Sequence, residues 1–166
     1  MTAYMPGRWV CISCLRWALA YLVVVASIAP FSAEARTADE VQALVERAAT
    51  HIRTFGSARA FTDITRPDGG FVDGELYVFC NSTDGITLAH GGNPKLVGKA
   101  LSAIRDGDGA QPIITTNRIA ETIGHGWHEY LWPNPQTRRI QRKVSYVLRV
   151  DDRTVCGSGY YLLNLP

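Results

Sequence analysis

The sequence has no large excess of charge of either sign. It contains 17 Lys+Arg and 15 Asp+Glu among 166 residues, which gives a formal net charge of +2. This near balance excludes a nucleic-acid-binding surface of the kind that depends on a strong excess of Lys and Arg. A disordered chain is also excluded, because such chains are poorer in apolar residues than this one, in which 46% are hydrophobic. The length fits one domain.

Motifs for common catalytic and metal chemistry are missing as well. No Gly-rich phosphate-binding loop occurs, and Ser158 lacks the G-x-S-x-G context of a hydrolase nucleophile. His125 and His128 lie three residues apart in a predicted strand, so they point to opposite faces. The run Asp106-Gly107-Asp108-Gly109 lacks the final acidic residue of a calcium loop and is predicted to be a turn. We therefore expect no enzyme, no metal site and no cofactor.

The first 35 residues have the three parts of a secretory signal. Arg8 and Arg16 precede an uncharged run from Trp17 to Ala33, and Ala33-Glu34-Ala35 is a small-x-small cleavage pattern. Cleavage is predicted after Ala35, so residues 1–35 are the signal peptide and residues 36–166 form one periplasmic or secreted domain. The alternative is an uncleaved membrane anchor. A spanning helix needs about 20 apolar residues, and the shorter run here favours cleavage.

The rest of the chain is predicted to form one long helix followed mainly by strands. Apolar residues at intervals of three and four predict a helix from Thr37 to Thr54, with Thr37 and Glu40 as a capping box and Gly56 as its end. A helix followed by antiparallel strands is an α+β pattern. The other predicted elements are a short helix at 58–62, a loop at 65–74, helices at 94–104 and 113–123, and strands at 76–80, 86–90, 124–132, 139–150 and 155–163.

Four segments in this order resemble the single Cache domain of the second type, an extracytoplasmic relative of the PAS sensor fold. They are FVDGELYVFCNSTDGITLAHGGNPKLVGKAL (71–101), GWHEYLWPNP (126–135), KVSYV (143–147) and VCGSGYY (155–161). The resemblance spans essentially all of residues 36–166. It implies a long N-terminal helix packed on a five-stranded antiparallel PAS-like sheet, and a pocket for small molecules, often short carboxylic acids, under a short helical insert. Family members commonly continue into an output module, which we do not expect here.

The candidate ligand-binding residues are polar or aromatic and lie on the predicted strands. Lys143 could hold a carboxylate as a point charge, and Tyr146 could donate its hydroxyl to the same anion. Alternation places Lys143 with Ser145 on one face and Tyr146 on the other, unless a bulge intervenes. A solvated edge for Lys143 and ordinary core packing for the aromatic residues are the alternatives. The complete candidate set is Tyr77, Phe79, His90, Trp127, Tyr130, Trp132, Lys143 and Tyr146.

Two cysteines, Cys80 and Cys156, follow the predicted cleavage site. An even number of cysteines in an oxidising compartment favours a disulfide. The resemblance implies that the first and fifth strands, which carry these cysteines, are neighbours. Two buried free thiols are the alternative.

Three functions fit these features. The first is an exported sensor domain that binds a small organic acid or similar metabolite and reports to a membrane sensor or transporter. The second is a membrane-anchored sensory subunit that signals through a separate kinase or transporter. The third is an interaction module that has lost its ligand. Pairing of two copies through the exposed side of the long helix is a further expectation.

Overall fold

The computed structural model describes residues 36–162, so the predicted signal peptide and its cleavage site lie outside the described residues. The described part begins with α1 (Ala38–Phe55) and α2 (Ser57–Thr65). Thr37 and Glu40 form the predicted capping box, and α1 ends at Gly56, which has a positive φ of 79°. Within these residues no helix has the length and apolar character needed to cross a membrane.

A five-stranded antiparallel sheet forms the centre of the domain. Its strands follow the order β4-β3-β7-β6-β5, while β1 and β2 form a separate small hairpin. This arrangement confirms the predicted α+β class and the five-stranded antiparallel sheet. The strands are β1 (Val72–Asp73), β2 (Leu76–Tyr77), β3 (Phe79–Ser82), β4 (Thr87–His90), β5 (His125–Pro133), β6 (Ile140–Arg149) and β7 (Thr154–Tyr161), with a 3-10 helix (Pro94–Leu96) and α3 (Pro112–Ile123) between β4 and β5.

The sheet has two differently covered faces. The amphipathic helix α1 packs on one face, here called the helix face, and buries Val41, Val45 and Ala48 against Cys80 and Tyr146. The opposite face, here called the insert face, lies against the segment that connects β4 to β5. Its buried cluster contains Ala120 of α3 and five residues of the strands, namely Tyr77, Phe79, Val147, Val155 and Tyr161.

A disulfide joins Cys80 and Cys156 across neighbouring strands. The two residues are directly paired in the β3–β7 ladder, with their Cα atoms 4.0 Å apart. Both are fully buried on the helix face. The predicted disulfide is thus present, and it closes a loop with a sequence separation of 76 residues.

The segment after β4 differs from its prediction. A helix at 94–104 is wrong, because only Pro94–Leu96 forms a single 3-10 turn. Gly98 has a φ of 80°, a conformation that continues no right-handed helix. Its N–H donates to the carbonyl of Thr87, and the Thr87 N–H donates to the carbonyl of Lys99, so this stretch pairs irregularly with β4. The insert is therefore mainly loop up to α3.

Smaller differences concern the first half of the chain. The second helix is longer than predicted, at Ser57–Thr65. The predicted strand 76–80 is divided at Val78, whose N–H donates to the carbonyl of Phe71. The predicted loop at 65–74 contains the short strand β1. Tyr77 and Phe79 still share the insert face, as predicted.

Candidate functional site

A fully buried lysine lies at the centre of the insert face. Lys143 on β6 is 0% exposed, and its neighbours across the sheet are Tyr130 on β5 and Tyr161 on β7. The Lys143 Nζ lies 3.7 Å from the centre of the Tyr77 ring and 5.1 Å from that of Tyr161. Within the described part of the chain this Nζ has no hydrogen-bond partner. Burial of a cation without a counter-ion costs free energy, and a bound anion offsets this cost.

Burial governs the protonation of the bases around this point. It lowers the pKa of the Lys143 ammonium well below its ordinary range, and the nearby Glu75 carboxylate opposes this only in part. Burial, reinforced by the Lys143 charge, lowers the pKa of His90 to about 3 and that of His128 to about 4. Both imidazoles are therefore neutral at pH 7. The His90 Nδ1 accepts a hydrogen bond of 2.9 Å from the Asn93 N–H.

Three buried tyrosines lie around the lysine, and their hydroxyls are hydrogen-bonded to other groups. The Tyr161 hydroxyl donates to the carbonyl of Pro133 at 2.7 Å and lies 3.1 Å from the Tyr77 hydroxyl. The Tyr130 hydroxyl lies 3.1 Å from the Ser145 hydroxyl on the neighbouring strand. Burial raises the pKa of all three phenols, so they stay protonated. The Tyr161 proton is donated to Pro133, so Tyr77 is the donor to Tyr161 and would have to leave this bond to donate to an anion.

A small cavity, here called the inner chamber, lies between the sheet and the insert. Its volume is 10 Å³, which is about the space of one water molecule. Three further buried polar atoms without a partner in residues 36–162 belong to side chains on the same side of the sheet: Asn81 Nδ2, Thr87 Oγ1 and Asn117 Oδ1. The inner chamber is lined by Phe79, Asn81, His90, Leu101, Ile113, Tyr130 and Trp132.

A much larger cavity, here called the outer cavity, adjoins the inner chamber. Its volume is 560 Å³, and it shares His90 and Trp132 with the inner chamber. Tyr77, whose ring lies against the Lys143 Nζ, also lines the outer cavity. Lys143 itself lies behind these walls, because its side chain lines neither cavity. An anion that reaches the Nζ must therefore displace part of the aromatic wall.

The structure brings six of the eight predicted ligand residues together. Tyr77, Phe79, His90, Tyr130 and Trp132 all line at least one of the two cavities, and Lys143 lies behind them. The alternative of a solvated edge does not hold for Lys143, since this residue is fully buried.

Trp127 and Tyr146 do not join this group. They are paired across β5 and β6 on the helix face, with ring centres 5.2 Å apart. Tyr146 is buried in the cluster under α1, and Trp127 is 38% exposed at the edge. The regular alternation of β6, without a bulge at Lys143, is the reason why Tyr146 points away from the lysine. Both lie on the face opposite Lys143, and neither lines the inner chamber or the outer cavity.

Some polar residues of the site escaped the sequence prediction. Asn81 follows Phe79 by two positions on β3, so strand alternation could have placed it on the same face. Tyr161 could have been found in the same way on β7. Asn134 gives no such signal, because it lies in a turn: it is 1% exposed and donates to the Glu75 carboxylate at 2.9 Å.

Comparison with protein families identifies this arrangement. Residues 59–162 match the family profile dCache_2, described as a Cache domain. The chain belongs to the Cache domain family. Cache domains are sensory ligand-binding domains, which agrees with the cavities on the insert face. The sequence resemblance to this family is thus confirmed, while its assignment to the single type acting alone stays a prediction.

Solved structures of chemosensory proteins share the fold. A methyl-accepting chemotaxis protein from Vibrio parahaemolyticus RIMD 2210633 aligns with a TM-score of 0.66 at 20% identity, over 74% of this chain and 86% of that one. A Cache chemosensory domain described for carboxylic acid recognition aligns with a TM-score of 0.64 at 24% identity, over 75% and 92%. A periplasmic sensor domain of a chemotaxis protein aligns with a TM-score of 0.58 at 28% identity, over 74% and 88%. A search of curated proteins gives no match.

Proposed function

We propose that this Cache domain senses a small organic acid outside the cytoplasm and holds its carboxylate with Lys143. The observation that carries this proposal is the fully buried Nζ of Lys143, which lacks a hydrogen-bond partner among residues 36–162. A carboxylate is the matching ligand, because it supplies the missing counter-charge and accepts hydrogen bonds. The similar Cache chemosensory domain that recognises a carboxylic acid supports the same ligand class.

The surrounding residues have complementary roles in this proposal. The hydroxyl of Tyr77 donates to the second carboxylate oxygen once the aromatic wall has moved. His90 and Trp132 line both cavities, so in this proposal the acid passes between the cavities beside these two side chains. The neutral His90 adds no second positive charge, since its pKa of about 3 keeps it unprotonated. In this proposal the carboxylate therefore contacts one positive charge, that of the Lys143 ammonium.

Displacement of the aromatic wall links binding to a change in shape. Tyr77 is the last residue of β2 in the β1–β2 hairpin, and its hydroxyl bonds to Tyr161 at the end of β7. An acid that separates these hydroxyls alters the contacts between the hairpin and the sheet. We propose that a separate membrane sensor or transporter reads this change, after export and removal of residues 1–35. Pairing of two copies through α1 stays a prediction.

Isothermal titration of the purified protein with acetate, propionate, pyruvate and lactate tests the proposal. Lys143→Met should weaken the affinity for every acid that binds by at least about tenfold, because it removes a charge-assisted hydrogen bond. Lys99→Met is the matched control, since Lys99 is exposed, and should leave the affinity unchanged. Unchanged affinity in Lys143→Met would remove the lysine from this role.

A second pair of variants tests which face of the sheet binds the acid. Trp132 lines both cavities, whereas Trp127 lies on the helix face beside Tyr146. Trp132→Ala should weaken acid binding, and Trp127→Ala should not. The opposite result would place the site on the helix face and reject the insert-face site.

A further inference from the structure

The inner chamber is too small to hold even a short acid. Its 10 Å³ corresponds to about one water molecule, and it is enclosed by the side chains of Phe79, Tyr130 and Trp132. The outer cavity, at 560 Å³, lies within the range of about 300–1,000 Å³ that pockets for larger small molecules occupy. The body of a ligand whose carboxylate reaches Lys143 therefore has its space in the outer cavity.

The wall of the outer cavity is mostly apolar. Leu96, Ile104, Leu131 and Ile140 line it from the insert and from the strands β5 and β6. Ile104 is 38% exposed and Ile140 is 58% exposed, so two large apolar side chains from distant parts of the chain face the same open space. Binding of an apolar ligand here is favourable, because it removes this exposed apolar surface from water.

The charged residues of the outer cavity leave this apolar character intact. The Asp106 carboxylate accepts hydrogen bonds from the backbone N–H groups of Asp108, Ala110 and Leu131. The Arg105 guanidinium donates to the carbonyl of Gly109. Arg138 is exposed at the rim. The lining thus carries one carboxylate, which is already hydrogen-bonded, and two guanidinium groups, so its net charge does not oppose an anionic ligand.

We propose that the acid sensed by this domain carries an apolar body larger than that of acetate or pyruvate, and that this body lies in the outer cavity between Ile104 and Ile140 while its carboxylate points to Lys143. This inference rests on the proposed function. It replaces the expectation of a two- or three-carbon acid by the class of monocarboxylic acids with an extended alkyl or aryl group.

A chain-length series tests this inference. Isothermal titration with straight-chain acids from acetate to octanoate, and with phenylacetate, should show an affinity that rises by up to about fourfold per added methylene until the cavity is filled. Ile104→Asn and Ile140→Asn should flatten this rise, because each replaces an apolar part of the cavity wall by a polar side chain. Ile123→Asn is the matched control: Ile123 is 69% exposed and does not line the outer cavity.

The outcomes separate this inference from the proposed function. Affinity that peaks at two or three carbons and depends on Lys143 would overturn the extended body but leave the acid sensor standing. Binding of long acids that survives Lys143→Met and is lost in Arg138→Ala would place the carboxylate at the rim and overturn both. Absence of binding across the whole series would overturn both as well. Because the substituted isoleucines are exposed, circular dichroism melts should show the same folding as in the unsubstituted protein.

Discussion

The Nζ of Lys143 lies 3.7 Å from the centre of the Tyr77 ring and has no hydrogen-bond partner within residues 36–162. Two readings of this relationship make opposite predictions about stability. As a structural contact, the ammonium gains about 0.5–2 kcal/mol from the ring face. As an anion site, the unpaired buried group costs about 1–3 kcal/mol until a ligand arrives.

We predict that Lys143→Met stabilises the protein in the absence of ligand. Methionine has a similar length and needs no hydrogen bond, so the free energy of unfolding should rise by about 1–3 kcal/mol. Urea unfolding of both proteins measures this change, with Lys99→Met as the exposed control. A loss of stability in Lys143→Met would favour the structural contact with Tyr77 over the anion site.

Acid binding should be accompanied by proton uptake. Burial lowers the pKa of Lys143 well below its ordinary range, so the empty site favours the neutral amine, whereas the bound carboxylate favours the ammonium. Affinity should therefore fall as the pH rises, by up to about tenfold per pH unit where the free lysine is neutral. Calorimetry in buffers of different ionisation enthalpy measures the proton directly. Equal apparent enthalpies in all buffers would contradict this coupling.

Stability should fall as the pH drops below about 6.5. The pKa of His90 is lowered to about 3 by burial and by Lys143, so between the two values only the unfolded chain takes up this proton. The free energy of unfolding should then decrease by up to about 1.4 kcal/mol per pH unit for each such histidine. His128, with its pKa lowered to about 4, adds to the same trend.

Substitution of His90 measures its contribution to this pH dependence of stability. In His90→Asn the amide oxygen can accept from the Asn93 N–H as Nδ1 does, so the fold should be kept. Between pH 6.5 and pH 5, the free energy of unfolding should fall less steeply than in the unsubstituted protein. The difference in slope should correspond to the uptake of about one proton. An identical slope in both proteins would show that His90 is not held neutral by the fold.

Loss of the disulfide should be costly. The Cys80–Cys156 bond closes a loop with a separation of 76 residues, for which the chain-entropy model gives about 4–5 kcal/mol. The double variant Cys80→Ala/Cys156→Ala should lose about 2–5 kcal/mol of stability in urea unfolding, and reductant should have no effect on it. If reductant left the stability of the unsubstituted protein unchanged, the bond would not form in solution.

Sequence patterns predicted most of the regular structure for identifiable reasons. Thr37 and Glu40 mark the start of α1 because their capping box is encoded locally. Alternation on β6 correctly placed Lys143 and Tyr146 on opposite faces, because this strand pairs without a bulge around Lys143. The predicted Cys80–Cys156 disulfide is present; the even number of cysteines favours it, and the family resemblance implies that their strands are neighbours.

The parts that were missed depend on contacts between distant residues. The irregular pairing of Thr87 with Gly98 and Lys99 replaces a predicted helix, and no local pattern encodes it. The outer cavity arises where the insert meets the β5–β6 turn, so residues such as Ile104 and Ile140 become neighbours only in the fold. Tyr146 and Trp127 were assigned to the ligand by residue type, which does not say which side of the sheet binds.

A crystal structure of the protein with a bound acid shows directly whether Lys143 holds the carboxylate. Phenylacetate or hexanoate is a suitable choice, because each has a carboxylate and an apolar body. The account predicts a carboxylate oxygen about 2.7–2.9 Å from the Lys143 Nζ, with the hydrocarbon in the outer cavity. A carboxylate held at Arg105 or Arg138, with the Nζ still 3.7 Å from the Tyr77 ring centre, would contradict it.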